Sequence, residues 1–247
     1  MIGIKLADIF QEDKMKRLTL LVIVVMLTIS VLPLQARRFR ATPYRAQSVN
    51  LRIGLFQPNM NSDLWEVNME NLYLSEQDMQ NVYYAVEYEF FFNRILSLSI
   101  EGGSYDNEHY SQYRDYTYDD GTPINQNLAL RTTSVEVNLR IYPIGHKYVF
   151  NPYIGGGLGI HRWVYEQWGD FINFDDLTVD EGYADTRAYT LGFNGRAGFL
   201  IKFKRSFGFS FEAKYLFLKG ELSSLFEGFE KFDLSGLSFT AGINLFF

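Results

Sequence analysis

The chain has 247 residues, 17% of them aromatic, a formal net charge of -6 and no cysteine. The lack of cysteine excludes disulfide scaffolds and thiolate metal centres, and the negative charge is unlike that of a nucleic-acid-binding protein. Mean hydropathy is -0.12 despite the many aromatic residues. Apolar and polar residues therefore alternate, which is not the pattern of a bundle of membrane-spanning helices.

The N-terminal part of the chain is typical of a secretory signal. Its one continuous apolar run, residues 18–32, follows three basic residues and is shorter than the roughly 20 residues of a spanning helix. We predict a signal peptide over 1–36, cleaved after Ala36, with an uncleaved anchor as the alternative. Met15 is the expected natural start, which makes the preceding residues an upstream extension. Residues 37–47 are expected to form a periplasmic arm.

The remainder of the chain consists of segments with the period-two alternation of β-strands. In residues 134–141, with the sequence SVEVNLRI, every second side chain is apolar. Eight such segments are predicted: 48–57, 81–92, 95–105, 128–142, 150–163, 187–204, 207–218 and 234–247.

The connections between these segments alternate in length. Those after the second, fourth and sixth segments are short, whereas 58–80, 106–127, 164–186 and 219–233 are long. Short periplasmic turns and long outer loops are typical of barrels in outer membranes. The sequence therefore predicts an all-β fold, an eight-stranded antiparallel up-and-down transmembrane β-barrel over 48–247.

A soluble barrel of the lipocalin type is the rival fold, and the charges on the polar face argue against it. That face carries five basic and five acidic residues, a balance that suits a closed interior better than the surface of an acidic soluble protein. We predict that they form an ion-pair network in the lumen. The ten residues are Arg52, Glu87, Glu89, Glu101, Glu136, Arg140, Arg196, Lys202, Glu212 and Lys214.

Four stretches carry a resemblance to a known family. They are 137–143 (VNLRIYP), 152–157 (PYIGGG), 211–215 (FEAKY) and 241–247 (AGINLFF). With the alternation, they make the chain resemble the OmpA/OmpX/OmpW-like eight-stranded outer-membrane barrels. The resemblance implies the outer membrane of a Gram-negative bacterium, and it implies that the terminal Phe247 is a signal for the barrel-assembly machinery. Members of the family differ in activity, so function has to be argued from sites.

Eight strands leave a lumen just wide enough for side chains, so a wide pore is not expected. The first hypothesis is a non-enzymatic protein serving membrane integrity or surface interaction. The alternative is a narrow porin-like channel for small solutes. A lipid-modifying enzyme at the rim is the third hypothesis, since His109 and Ser111 echo the His-x-Ser of a lipid A deacylase. These two residues fall in a predicted loop, however, and we predict neither a catalytic residue nor a cofactor.

The long connections are strongly acidic, with 21 of the 29 Asp and Glu residues of the chain. Solvation explains such loops. A sharper hypothesis is capture of Ca²⁺ or Mg²⁺, because hard cations prefer several carboxylates. The candidate ligands are Asp175, Asp176, Asp180 and Glu181, although they lack the spacing of a calcium-binding loop.

Three basic residues fall on the apolar face near the long connections. Arg131, Arg162 and Arg187 lie on neighbouring segments and are expected to meet at the outer rim. Arginine is tolerated there because it reaches lipid phosphates. We predict contact with lipopolysaccharide, whereas ordinary solvation of the rim is the alternative. The expected partners are thus outer-membrane lipid and lipopolysaccharide, with no nucleic acid and no second copy of the chain.

Overall fold

A computed structural model describes residues 46–174 and 176–247. The predicted signal peptide 1–36, with the start at Met15 and the cleavage after Ala36, lies outside the described residues. So does the predicted arm 37–47, apart from its last two positions.

Eight long antiparallel strands form one closed barrel. They are β1 (Gln47–Pro58), β2 (Asn81–Phe91), β3 (Leu96–Thr117), β4 (Pro123–Ile141), β5 (Phe150–Ile172), β6 (Val179–Lys204), β7 (Phe207–Phe217) and β10 (Gly236–Phe246). Their order around the barrel is β1-β10-β7-β6-β5-β4-β3-β2, so that β1 pairs with both β2 and β10 and no edge is left open. The prediction of an eight-stranded up-and-down barrel is confirmed.

The alternation of the sequence separates an apolar outside from a polar inside. In β10, Phe239, Ile243 and Leu245 point outwards, whereas Ser238 and Asn244 are buried in the lumen. An apolar exterior around a polar interior is the arrangement of a transmembrane barrel, because lipid surrounds the wall and backbone groups pair between strands.

Two of the predicted loops are in fact strands. Residues 106–127 and 164–186 continue the ladders of β3–β4 and β5–β6, and only short connections, at 118–122 and after Ile172, separate these strands. Strands β5 and β6 have 23 and 26 residues, more than twice the roughly 9–11 needed to cross a bilayer. Their outer parts lie beyond the lipid, where the outward face no longer has to be apolar and the inward face contains buried apolar residues. The alternation of the membrane region therefore fades although the hydrogen bonds continue.

The other two long connections fold over the outer mouth. The β1–β2 connection contains helix α1 (Asp63–Asn71) and a 3-10 helix, Glu76–Met79. The connection after β7 contains β8 (Lys219–Gly220), a 3-10 turn at Ser224–Phe226 and β9 (Phe232–Asp233), and β8 pairs with β9. Within the described ranges, no helix has the length and apolar character needed to cross a membrane.

Inward-facing side chains fill the barrel in three layers. A small apolar cluster closes the end with the short turns, and a larger one closes the end with the long connections. Polar and charged side chains lie between them. The small cluster consists of Phe91, Tyr142, Tyr153, Leu200 and Phe246. The large cluster includes Phe56, Trp65, Trp163, Tyr165 and Phe232.

Candidate functional site

The middle layer of the lumen is one connected ion-pair network. It joins nine of the ten charged residues predicted for the lumen, four basic and five acidic, and all nine are buried. Arg196 lies near its centre and donates to Glu101 and Glu136, each at 2.9 Å. Arg52 bonds Glu101 at 2.9 Å, Glu212 at 2.8 Å and also Glu87. The nine members are Arg52, Glu87, Glu89, Glu101, Glu136, Arg140, Arg196, Glu212 and Lys214.

Lys202 is the tenth residue, and the structure places it away from the other nine. Its ammonium group donates to the backbone carbonyl of His146 at 2.6 Å and lies 4.4 Å from the centre of the Phe246 ring. It therefore belongs to the closure at the short-turn end. The sequence assigned Lys202 to the correct face of β6, but its height along the barrel depends on strand register, which alternation does not give.

The apolar cluster over the network was not predicted from the sequence. Helix α1 inserts Trp65 into the mouth, where its indole nitrogen donates to the Asp233 carbonyl at 3.1 Å. The Trp65 ring packs against Tyr165 and Phe232 at centroid distances of 5.3 and 4.8 Å. Leu64, Trp65 and Asn68 are buried on one face of α1, so their spacing within the first long connection was the available signal.

The three predicted rim arginines line one cavity on the outer wall. Arg131, Arg162 and Arg187 come from β4, β5 and β6 and surround a volume of about 480 Å³. We call this cavity the rim pocket. Its other lining residues are Ser104, Tyr105, Asp106, Thr133, Val164, Glu166, Tyr183 and Asp185.

Strand register places the rim pocket directly above the apolar wall. Val135, Ile160 and Leu191 pair across β4, β5 and β6 and are each more than half exposed. Arg162 pairs with Thr133, the next outward residue of β4. Arg131 and Arg187 both pair with Val164, one step higher. The arginines thus mark the level at which the apolar band ends.

The three arginines differ in their carboxylate partners. Arg131 bonds Asp106 at 3.1 Å, Glu108 at 2.6 Å and also Glu166. The Arg187 side chain is 70% exposed, and its distance to Asp185 is longer, 3.6 Å from Nε to the carboxylate. Within the described ranges, Arg162 forms no ion pair. Arg131 is therefore fixed in place, whereas the other two guanidinium groups can accept an outside anion.

A tyrosine completes the upper side of the rim pocket. The Tyr183 hydroxyl donates to Glu166 at 2.6 Å. This hydrogen bond to a carboxylate raises the pKa of Tyr183 to about 12, because it favours the protonated phenol. Tyr183 therefore remains a neutral donor over the pH range in which the protein would work.

The structure does not bring together the three candidate cation ligands that it describes. Asp175 lies outside the described residues. Asp176 is exposed and accepts from the Thr178 hydroxyl at 2.8 Å, and this bond lowers the pKa of Asp176. Asp180 and Glu181 are consecutive in β6, so they point to opposite faces of the strand. Among residues 46–174 and 176–247 no group of three or more potential ligands is placed to hold a metal ion.

The His109–Ser111 pair has no catalytic arrangement. The Nε2 atom of His109 lies 3.1 Å from the backbone carbonyl oxygen of Tyr73, and the Ser111 hydroxyl donates to the same oxygen at 2.9 Å. Both side chains are thus bound to the backbone instead of to each other, whereas a base must be hydrogen-bonded to the nucleophile that it activates.

Phe247 lies at the short-turn end of the barrel wall. Its backbone nitrogen donates to the Gln47 carbonyl at 3.1 Å, and its exposed ring lies 6.5 Å from the ring of Tyr88. The closing strand is therefore paired with β1 up to its last residues.

A closed ring of eight antiparallel strands, an apolar outer band and a lumen filled by ion pairs define a transmembrane β-barrel of the kind found in Gram-negative outer membranes. Solved structures show the same fold. OprG from Pseudomonas aeruginosa aligns with a TM-score of 0.51 at 15% identity, over 84% of this chain and 99% of that one.

Two further structures align over similar lengths. Neisserial surface protein A has a TM-score of 0.45 at 11% identity, covering 81% of this chain and 96% of its own. The Ail protein of Yersinia pestis has a TM-score of 0.44 at 12% identity, covering 83% and 100%. No protein-family model matches the sequence, and no curated protein matches it.

Proposed function

We propose that this protein is a non-enzymatic barrel in the outer membrane of a Gram-negative bacterium and that it supports membrane integrity by holding lipopolysaccharide phosphates in the rim pocket. The observation that carries the proposal is the convergence of Arg131, Arg162 and Arg187 at the upper limit of the apolar wall. Lipid phosphates lie at this level of a bilayer. Guanidinium groups bind phosphate with two parallel hydrogen bonds, and they tolerate the membrane boundary.

The charges of the rim pocket support a phosphate in preference to a metal ion. Asp106, Glu108 and Glu166 are already bound to Arg131, so they are engaged as structural partners. Arg162 and Arg187 retain donors that face outwards. A phosphate between them would add charge-assisted hydrogen bonds without breaking the Arg131 cluster.

Lipopolysaccharide co-purification tests this function. The protein is extracted in mild detergent, and the bound lipopolysaccharide is quantified for the wild type and for a variant carrying Arg131→Gln, Arg162→Gln and Arg187→Gln together. Arg205→Gln is the matched control, because Arg205 is exposed in the short turn at the opposite end. We expect about tenfold less lipopolysaccharide on the triple variant and no change in the control. Equal amounts on all three proteins contradict the proposal.

The lack of a nucleophile–base contact at His109 and Ser111 supports a non-enzymatic role. Lipid analysis of a strain that overproduces the protein tests this part. An unchanged lipid A profile is expected. A new lipid species that disappears with Ser111→Ala would establish an enzyme.

A narrow channel is the second candidate, favoured by an apolar cavity at the outer mouth. The cavity has a volume of about 260 Å³ and is lined by apolar residues that include Leu64, Phe171 and Leu225. It could receive a small apolar solute, but the large apolar cluster and the ion-pair network lie below it. Planar-bilayer recording distinguishes the two functions, since we expect no conductance steps from the closed lumen. Regular steps would favour the channel.

A further inference from the structure

A second concave site lies on the same outer wall above the rim pocket. It has a volume of about 480 Å³ and lies between β3, β4 and the β1–β2 connection. We call it the upper groove, and we propose that it binds a neutral sugar chain. Its lining residues are Tyr73, Tyr110, Ser111, Gln112, Asn125 and Asn127.

The upper groove is a built feature, because the β1–β2 connection is fixed to the free edge of β3. Strand β2 pairs with β3 only as far as Tyr105, and Leu72 then forms a bridge with Tyr113. The Tyr73 nitrogen donates to the Gln112 carbonyl at 2.9 Å. Since Leu72 and Tyr113 face inwards, Tyr73 lies beside Gln112 on the outer face.

Side-chain contacts hold Tyr73 in this place. Arg114 donates from Nε to the Leu72 carbonyl at 2.6 Å, and its guanidinium group lies 5.4 Å from the centre of the Tyr73 ring. Ser111 donates to the Tyr73 carbonyl at 2.9 Å. The Tyr73 ring is therefore positioned before any ligand arrives, which lowers the entropic cost of binding.

The chemistry of the upper groove suits a sugar. Tyr73 and Tyr110 are 53% and 72% exposed, and the Tyr110 ring meets Trp168 edge to face at a centroid distance of 6.4 Å. Exposed aromatic faces can stack on the C–H faces of a sugar ring. Gln112 and Asn127 supply both donors and acceptors, as pairs of hydroxyl groups require. None of the six lining residues is charged.

The height of the upper groove excludes a role as a membrane-interface aromatic belt. Asn127 is four residues beyond Arg131 on β4, and Tyr110 is four beyond Asp106 on β3. Four residues of strand span about 13 Å. The aromatic residues thus lie above the charged level, in the space that the sugars of a lipid held by its phosphates in the rim pocket would occupy.

If the sugar belongs to lipopolysaccharide, this inference rests on the proposed function. A glycan from outside the cell would present the same chemistry. Binding is therefore measured on the full protein in phospholipid nanodiscs with four probes: lipopolysaccharide with a complete core, deep-rough lipopolysaccharide without core hexoses, isolated core oligosaccharide and a glycan array. The variants are Tyr110→Ala and Asn127→Ala. Tyr118→Ala, a change of an exposed tyrosine in the β3–β4 turn, is the matched control.

If the sugar belongs to lipopolysaccharide, Tyr110→Ala weakens binding of the complete-core form about tenfold and leaves deep-rough binding and the control unchanged. If Tyr110→Ala abolishes binding to the glycan array but the presence of the lipopolysaccharide core does not affect binding, the upper groove binds an external glycan. If the wild type does not bind deep-rough lipopolysaccharide, that result contradicts the proposed phosphate binding in the rim pocket and leaves the upper groove proposal unaffected. The upper groove proposal is overturned if no sugar probe binds, or if Tyr110→Ala and Asn127→Ala bind every probe as the wild type does.

Discussion

Removal of one cation from the lumen network should destabilise the barrel strongly. Arg196 is inaccessible to solvent and bonds Glu101 and Glu136 at 2.9 Å and Glu212 at 3.3 Å. Arg196→Met keeps a long side chain but leaves these carboxylates short of a partner. The network has four basic and five acidic residues, so its formal charge changes from -1 to -2.

The magnitude follows from the burial of the pair. Breaking a buried ion pair from one side costs about 3–5 kcal/mol, because the remaining charge stays in a medium of low dielectric constant. An exposed pair is worth at most about 1 kcal/mol. Lys231 and Glu221 form such a pair at 2.6 Å, with side chains 61% and 75% exposed, and Lys231→Met is therefore the matched control.

The assay is reversible urea unfolding of the protein in lipid vesicles, followed by tryptophan fluorescence. Arg196→Met should lower the free energy of unfolding by about 3–5 kcal/mol, and Lys231→Met should change it by less than about 1 kcal/mol. Equal effects of the two substitutions would mean that water screens the lumen charges and that the network is not a buried one.

Two further predictions concern barrel closure and pH. A Cβ atom on Gly54 would lie 1.9 Å from the Phe239 carbonyl oxygen on β10, whereas one on Gly195 meets nothing within 4 Å. Gly54→Ala should therefore lower the free energy of unfolding by about 1–3 kcal/mol in the same urea assay. A loss no greater than that of Gly195→Ala would contradict this prediction. Burial, reinforced by the charge of Lys202, lowers the pKa of His146 to about 4. Because the pKa of histidine in the unfolded chain is about 6.5, the unfolded state binds a proton first, and the free energy of unfolding should fall as the pH drops from about 6.5 towards 4. His146→Gln should reduce this dependence, and an identical pH profile in the variant would count against it.

The architecture was predictable because barrel physics is visible in the order of residues. Lipid on one side and a closed lumen on the other impose the period of two, and β10 displays it up to Phe246. The facing of Arg131, Arg162 and Arg187 followed from the same parity, and the barrel places all three in the rim pocket.

Features above the lipid were not predictable in this way. The outer parts of β5 and β6 lie beyond the lipid, so their outward faces carry polar residues while their inward faces pack in the large apolar cluster. The strand pattern of the membrane region therefore disappears, although pairing continues to Ile172 and Val179. The upper groove depends on the bridge between Leu72 and Tyr113, which are 41 positions apart. Contacts of this kind leave no periodic signal in the sequence.

The charged lumen illustrates a different limit. Parity identified the inward residues, but the partners of Arg196 lie on β3, β4 and β7. Such contacts across the lumen depend on register and strand tilt, so alternation could predict the existence of a network and not its pairs. The same limit explains why Lys202 was grouped with residues that it does not contact.

Binding of lipid A with and without its phosphates is the most direct test of the proposed function. The protein in nanodiscs is titrated with bis-phosphorylated and with dephosphorylated lipid A, and the ratio of the two affinities is compared with that of the Arg131, Arg162 and Arg187 triple glutamine variant. We expect the wild type to prefer the phosphorylated lipid by about tenfold or more and the triple variant to lose this preference. Equal affinity of the wild type for both lipids would show that the rim pocket does not bind lipid phosphates.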